Sequence, residues 1–317
     1  MNGKPARVVS LAVLLVVLLL ATVHCDRPRR EPPGKPIQGP TVQRLRTVMQ
    51  AVDPLFIRKG KPAPERWMAT YNEPGQTFDQ YLASRPRHAT ATRNKLYIQP
   101  IGPFSAEQSR IVELTADYMG RFFGLPVEVQ PALPITDLPA RAHRVHPMMG
   151  PQLRTGYLMG KFLLEGLPDN AAARVGFVTS DLFPDESMNF VFGQASLRDR
   201  VGVWSLHHLG EPEKGDRDFQ LALLRTIKIA AHETGHMFSL KHCRKYECVM
   251  NGAISLEELD MTSIEACPEC MAKLCWATDA DPRARYKKLA AFWRGQGLVP
   301  IAEFFEKAAE AVDARGI

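Results

Sequence analysis

The segment HETGHMFSLKHC, residues 232–243, places three histidines, one glutamate and one cysteine within twelve positions. It completes the longest proline-free helical pattern of the chain, which spans residues 216–240 and carries an apolar stripe. His232 and His236 are four residues apart on this predicted helix, so both imidazoles project from one face and can share one ion. Glu233 lies beside that face, where its carboxylate can accept a proton from an attacking water.

A third histidine distinguishes this segment from a chance match to HExxH, which unrelated helices with ordinary surface histidines also contain. His242 lies six residues beyond His236, a distance at which the helix can end and the chain can return another imidazole. Three neutral histidines and a water form the open tetrahedral arrangement of a catalytic zinc site. The sequence therefore predicts His232, His236 and His242 as ligands of one metal ion.

Four cysteines form a second candidate metal site directly after the histidines, as HCRKYEC and then, after eighteen intervening residues, CPEC. The spacing of Cys243, Cys248, Cys267 and Cys270 is that of a closed four-cysteine zinc site. Two disulfides are the alternative if the protein is exported to an oxidising compartment. We favour zinc, because the tight CPEC pair lies beside another cluster of ligands. Cys275 is left over and has no assigned function.

A methionine follows in the sequence CVMNG. Met250 lies eight residues beyond His242, and Asn251-Gly252 is a strong turn signal. Filling a core is the usual role of a lone methionine. A methionine in a tight turn directly after three histidines instead favours a position beneath the metal site.

The sequence upstream alternates between strand and helix patterns. SAEQ, starting at Ser105, is a capping box that begins a helix ending at Gly124. The other predicted elements are a strand from Lys95, a strand in 125–131, a helix over 155–165, a strand over 174–183, and a hairpin of 189–197 with 201–209. They predict a mixed α+β and α/β fold, with a twisted mixed sheet, an active-site helix and the hairpin at an edge.

The composition is that of a globular protein with extensions. Of the 317 residues, 45% are hydrophobic and 23% are charged, which excludes general disorder and a polytopic membrane protein. The net charge of +6 owes much to the basic residues in 27–40 and 85–95. These stretches lack interleaved aromatic residues, and a nucleic-acid-binding module would leave HExxH unexplained. We therefore expect no nucleic-acid partner.

The N-terminal residues predict export. Residues 1–25 contain two basic residues and a nearly unbroken apolar run, as in a signal peptide, with a signal-anchor as the alternative. Cys25 raises lipidation as a further alternative, although His24 fits a lipidation signal poorly. Residues 26–41 form a proline- and arginine-rich tether. An extracytoplasmic protein is expected, with membrane attachment through the N-terminus as an open alternative.

Taken together, the motifs resemble those of the metzincin metallopeptidases and, within them, of the archaemetzincin family. The segments that carry the resemblance are HETGHMFSLKHC, CVMNGAISLEELD and CPEC. It covers residues 95–275, the predicted metallopeptidase domain. Residues 42–94 are then an N-terminal extension without an assigned role, and residues 276–317 are a C-terminal helical extension.

The resemblance implies two zinc ions per chain and hydrolysis of peptide bonds in a peptide or protein substrate. Glu233 would be the general base and Met250 would form the Met-turn of the family. The implied ligands of the catalytic zinc are His232, His236 and His242, and those of the structural zinc are Cys243, Cys248, Cys267 and Cys270.

One position departs from the metzincin pattern HExxHxxGxxH, because Ser239 stands where the pattern has glycine. A left-handed backbone at this position costs a residue with a Cβ roughly 1 to 2 kcal/mol. We expect zinc to bind nevertheless, with a shifted His242. The alternative function is a zinc-stabilised binding protein with a weak or idle protease site.

The hairpin of residues 189–209 offers an edge to which an extended peptide substrate could add as a further strand. His207 and His208 fall on opposite faces of its second predicted strand, so at most one can face the cleft. We expect both to be ordinary surface or packing residues.

Overall fold

The computed structural model describes residues 40–196 and 199–316. Its helices are α1 (Val42–Val52), α2 (Trp67–Thr70), α3 (Phe78–Ala83), α4 (Ala106–Phe123), α5 (Thr155–Tyr157), α6 (Asp216–Met237), α7 (Leu256–Met261), α8 (Pro268–Thr278), α9 (Pro282–Gly295) and α10 (Val299–Asp313). Its strands are β1 (Lys95–Ile101), β2 (Val127–Val129), β3 (His143–His146), β4 (Gly150–Arg154), β5 (Ala171–Val178), β6 (Asp181–Phe183), β7 (Gly193–Ser196) and β8 (Val201–Ser205). The predicted export segment 1–25, with Cys25, and residues 26–39 of the tether lie outside the described residues.

The main sheet has five strands in the order β2-β1-β5-β8-β7. The first four are parallel, and β7 pairs antiparallel with β8 at one edge. Every residue of β5 and of β8 is buried, as expected for central strands that are covered on both faces. The predicted mixed sheet with an edge hairpin is therefore confirmed.

Three elements differ from the sequence prediction, the first two in the middle of the chain. The apolar stretch 174–183 is not one strand, because β5 ends at Val178 and β6 pairs with β4 in a separate three-stranded sheet, β3-β4-β6. The chain bends at Thr179, whose hydroxyl donates to Pro103 O at 3.0 Å. The predicted helix over 155–165 is present, but most of it, Leu158–Leu164, is π-helical.

The second strand of the hairpin is shorter than predicted. It ends at Ser205, whose hydroxyl oxygen accepts a hydrogen bond from His207 N at 3.0 Å and closes a local turn. His207 and His208 therefore lie in this turn, and the prediction that they occupy opposite faces of a strand is wrong.

The histidine-bearing helix α6 packs against α4, against the edge strand β7 and against its neighbour β8. The segments on either side of the predicted metallopeptidase domain share the same core. Leu45 of α1 and Phe305 of α10 belong to one buried apolar cluster with Phe177 of β5 and Ile227 of α6. In the described part of the chain, no helix combines the length and the apolar character needed to cross a bilayer.

Candidate metal centre and active site

The end of α6 holds two histidines in fixed orientations. His232 and His236 are both buried. Nδ1 of His232 donates to Val249 O at 2.8 Å, and Nδ1 of His236 donates to Leu240 O at 2.6 Å. Because Nδ1 of each ring carries the proton, each Nε2 is left as a free acceptor.

Ser239 makes the turn that follows α6. Its φ is +67°, the left-handed conformation expected at this position. Ser239 N donates to His236 O at 2.8 Å, and the Ser239 hydroxyl accepts a hydrogen bond from Arg87 N at 3.0 Å. The backbone of the N-terminal extension thus satisfies the side chain that replaces the glycine of the pattern.

This turn returns His242 to the other two histidines. The ring centroid of His242 lies 5.2 Å from that of His232 and 4.7 Å from that of His236, while the latter two are 4.6 Å apart. Ser239 therefore does not carry His242 away from the group. We call His232, His236 and His242 the histidine cluster.

Two residues of the N-terminal extension contact His242, and sequence reasoning did not single out either of them. Nδ1 of His242 donates to Glu73 Oε2 at 2.8 Å. The Trp67 ring lies 4.4 Å from the His242 ring between centroids. Both residues belong to a stretch with no clear periodicity, and 169 positions separate Glu73 from its partner. No local signal in the sequence indicates such a contact.

The histidine cluster fits a metal cation. The Nε2 atoms of His232 and His236 face each other at 3.0 Å although neither carries a proton in the tautomers described above. Nε2 of His242 is buried and has no hydrogen-bond partner. One ring nitrogen from each histidine lies within 4.8 Å of the others. A cation at their centre would satisfy all three lone pairs.

Burial also keeps these imidazoles in the form that binds metals. It lowers the pKa of His236 to about 3 and the pKa of His232 well below its usual value. Neutral imidazole is the form that donates its lone pair to a metal.

Glu233 lies at the rim of the histidine cluster. Its carboxyl group is buried, and burial raises its pKa to about 8. With His232 it lines a small cavity whose other walls are mainly apolar, including Phe192, Ile229 and Leu259. Gly193 of the edge strand β7 closes one side. Glu233 and the histidine cluster member His232 therefore line the same cavity beside the edge of the sheet.

The four predicted cysteine ligands also converge. We call Cys243, Cys248, Cys267 and Cys270 the cysteine cluster; their sulfurs all lie within 4.8 Å of one another. All five cysteines among the described residues are free. The Cys243 and Cys267 sulfurs are 3.7 Å apart, well beyond the roughly 2.05 Å of a disulfide. The disulfide alternative is therefore wrong for this structure.

The surroundings of the cysteine cluster fit a metal ion. Backbone N–H groups of Met250 and Cys267 donate to Cys248 Sγ at 3.4 and 3.2 Å. Burial raises the pKa of Cys248 and of Cys267 far above the usual range. Buried thiolates at these positions therefore need a bound cation to be stable. Cys275 is buried apart from the cluster, with its sulfur 3.7 Å from that of Met271.

The turn at Met250 joins the two clusters. Met250 O accepts a hydrogen bond from Cys243 N at 2.7 Å, and the amide of Asn251 donates to Cys243 O at 2.8 Å. The Met250 side chain is fully buried against α6. A Cβ on Gly235 would lie only 2.7 Å from its sulfur, so a larger residue between the two helical histidines would force the buried Met250 side chain to shift.

His207 and His208 do not take part in either cluster. Nε2 of His208 lies 3.0 Å from Asp181 Oδ1, and the two histidine rings are 4.7 Å apart between centroids. One nitrogen of each, with the buried Asp181 carboxylate, forms a third group within 4.8 Å. Gln152 also donates to that carboxylate at 2.6 Å, so protein hydrogen bonds account for its oxygens.

A helix that ends on two histidines, with a glutamate after the first and a third imidazole returned by a turn, is the arrangement of zinc metallopeptidases. Comparison with known proteins leads to the same class. The model of Peptidase family M54 matches residues 173–275. The chain is 33% identical over 261 residues to Archaemetzincin-2 of Homo sapiens, which covers 72% of this chain and 71% of that protein. The chain belongs to the archaemetzincin family.

Two further matches cover less of the chain. Archaemetzincin of Thermococcus kodakarensis is 39% identical over 127 residues, 38% of this chain and 67% of that protein. The crystal structure of archaemetzincin from Methanopyrus kandleri is 30% identical and superposes with a TM-score of 0.47, covering 58% of this chain and 94% of that one. The similarity to Archaemetzincin-2 confirms the predicted family membership, and the helices and the two mixed sheets described above confirm the predicted mixed α and β fold.

Proposed function

We propose that the protein hydrolyses peptide bonds with a zinc ion held by His232, His236 and His242 and with Glu233 as the general base. The observation that carries this proposal is the set of three buried ring nitrogens that converge without a proton or a partner between them. Membership of a zinc metallopeptidase family supports it. The cysteine cluster would hold a second, structural zinc, which gives two zinc ions per chain.

A zinc ion at the histidine cluster supplies Lewis acidity, which makes a water molecule more acidic and a substrate carbonyl more electrophilic. Burial alone raises the pKa of Glu233 to about 8, and the positive charge of a cation bound to the neighbouring histidines would lower this pKa and favour the carboxylate. As a carboxylate, Glu233 would accept a proton from the attacking water and return it to the nitrogen of the leaving amine. The position of Glu233 suits this role because its carboxyl group adjoins the ligand His232 and faces the cavity. Met250, packed under Gly235, supports the floor of the site.

Substrate would bind as an extended strand along β7, the edge of the main sheet. Gly193 of this strand borders the cavity that also contains Glu233. The cavity measures about 30 Å³, room for roughly one water molecule. A small apolar side chain next to the cleaved bond would fit this space best.

On the pattern of residues 1–25 alone, we also propose that the protein is exported, either by a cleaved signal or by a membrane anchor. We propose that residues 95–275 form the catalytic domain. The contacts of α1 and α10 with its core support the view that both extensions fold together with it.

The test uses protein lacking residues 1–25 and measures metal content together with cleavage of a fluorogenic peptide library. We expect two zinc ions per chain, one in His232→Ala and one in Cys267→Ser. Glu233→Gln should keep both ions and lose hydrolysis, whereas Glu257→Gln, at an exposed position of α7, should keep both properties. Two zinc ions without hydrolysis of any peptide would refute the proposal in favour of a zinc-stabilised binding protein.

A further inference from the structure

Glu73 lies next to the histidine cluster but contributes no ligand atom to it. We infer that Glu73 is a positioning residue for the metal site, because its carboxylate fixes the tautomer and orientation of His242. The stretch 67–76, far upstream in the sequence, would then be part of the metal centre. This inference rests on the proposed function only in that the histidine cluster binds zinc.

The hydrogen-bond pattern of the cluster sets Glu73 apart. His232 and His236 donate their Nδ1 protons to neutral carbonyl oxygens of nearby loops, whereas His242 donates to a carboxylate. A carboxylate that accepts from a ligating histidine holds the ring in place and makes the metal-binding nitrogen more basic. His242 follows the strained turn at Ser239, so it is the histidine whose position depends least on the helix.

The backbone around Glu73 is held in place by residues close to the histidine cluster. Arg244, two residues after His242, donates through Nη1 to Glu73 O at 2.6 Å and to Tyr71 O at 3.3 Å. Lys273 of α8 donates to Gln76 O. The carboxylate of Glu73 is thus presented by a segment fixed on both sides, so its hydrogen bond to His242 requires little ordering.

Trp67 anchors the other end of the stretch. Its backbone N–H donates to both carboxylate oxygens of Glu258 at 3.1 Å, and its ring lies against His242. A Cβ on Gly252, in the turn after Met250, would lie 2.3 Å from the Trp67 ring. The turn beneath the histidine cluster is therefore shaped to receive this side chain.

A surface ion pair is the competing explanation, since the Glu73 side chain is 40% exposed. Exposed ion pairs contribute little to stability, because water and salt screen them. The side chain of His242, however, is only 5% exposed, and Glu73 is the partner of its Nδ1. Removing the carboxylate would leave a buried N–H without a fixed acceptor and free the ring to rotate.

The experiment compares Glu73→Ala and Glu73→Gln with Glu65→Ala, a control at an exposed glutamate in the same extension. Two quantities are measured. The first is the zinc affinity of the histidine cluster, obtained by competition with a chelator, and the second is the visible absorption spectrum of the protein after cobalt replaces zinc. Glu73→Ala should weaken zinc binding about 10- to 100-fold and change the cobalt spectrum. Glu73→Gln, which keeps an acceptor oxygen but not the charge, should fall between that variant and the parent.

The cysteine cluster provides the folding control, because a folded variant keeps its second zinc ion. Should Glu73→Ala lose both ions, the isosteric Glu73→Gln decides the question. Affinity within twofold of the parent in both variants would overturn the inference. If the parent protein holds no zinc that depends on His232, the proposed function is refuted. If the Glu73 variants bind zinc more weakly but the parent protein has no peptidase activity, the function is refuted and the role of Glu73 is supported.

Discussion

Arg285 of α9 makes a buried ion pair whose removal tests whether the C-terminal helices are integral to the fold. Its Nη1 lies 2.8 Å from Glu265 Oε1, both side chains are 1% exposed, and its Nε donates to Phe122 O at 2.7 Å. Arg285→Met leaves a buried carboxylate without a counter-charge and a carbonyl without a donor. Breaking a buried pair in this way costs about 3 to 5 kcal/mol.

We would measure the free energy of unfolding in urea at saturating zinc. Arg294→Met is the matched control. Arg294 lies at an exposed position of α9 and pairs with Glu306 of α10, so this ion pair should contribute at most about 1 kcal/mol to the free energy of unfolding. In the double variant Arg285→Met with Glu265→Met, no charge remains buried, so most of the loss should be recovered. A loss below about 1 kcal/mol in the single variant, or no recovery in the double, would refute this reasoning.

Three further outcomes follow from single positions. Gly235→Ala places a Cβ within 2.7 Å of the Met250 sulfur, so we expect the free energy of unfolding, measured by thermal denaturation, to fall by about 1 to 3 kcal/mol. The control Gly295→Ala has open space around its Cβ and should cause no comparable loss. Ser239→Gly relieves a strain of about 1 to 2 kcal/mol and loses a hydrogen bond of about 1 kcal/mol; a change in stability above about 2 kcal/mol would contradict this balance. Burial lowers the pKa of Lys228 from 10.5 to about 8, so the unfolded chain binds more protons between these pH values and this residue makes stability rise with pH there. Lys228→Met should remove that contribution, and identical pH profiles of the two proteins would disprove it.

The parts of the site that could be predicted from the sequence are those governed by local periodicity. Residues four apart on a helix share a face whatever the rest of the chain does, so the pairing of His232 with His236 could be read directly. The capping box at Ser105 and the short link between β7 and β8 are also local, and both elements were predicted correctly.

The features that were missed depend on where the chain bends and on contacts between distant segments. Apolar residues recur on both sides of Thr179-Ser180-Asp181, which we interpreted as the polar end of one strand, so the pattern did not reveal that β5 and β6 belong to different sheets. The position of His208 depended on a hydrogen bond that ends β8 at Ser205. The approach of Glu73 to His242 closes a loop of 169 residues, and nothing in the residues around either side chain encodes it.

A single peptide bond separates His242 from Cys243, and this adjacency imposes an order on assembly. Oxidation of Cys243 and Cys267 would draw their sulfurs from 3.7 Å to about 2.05 Å and displace the residue next to His242, a proposed zinc ligand. Zinc bound to these thiolates protects them from that reaction. If the chain is exported to an oxidising compartment, the cysteine cluster must acquire its ion before the thiols meet an oxidant. The ability of the histidine cluster to bind its metal ion would then depend on whether the cysteine cluster of that molecule bound zinc before oxidation.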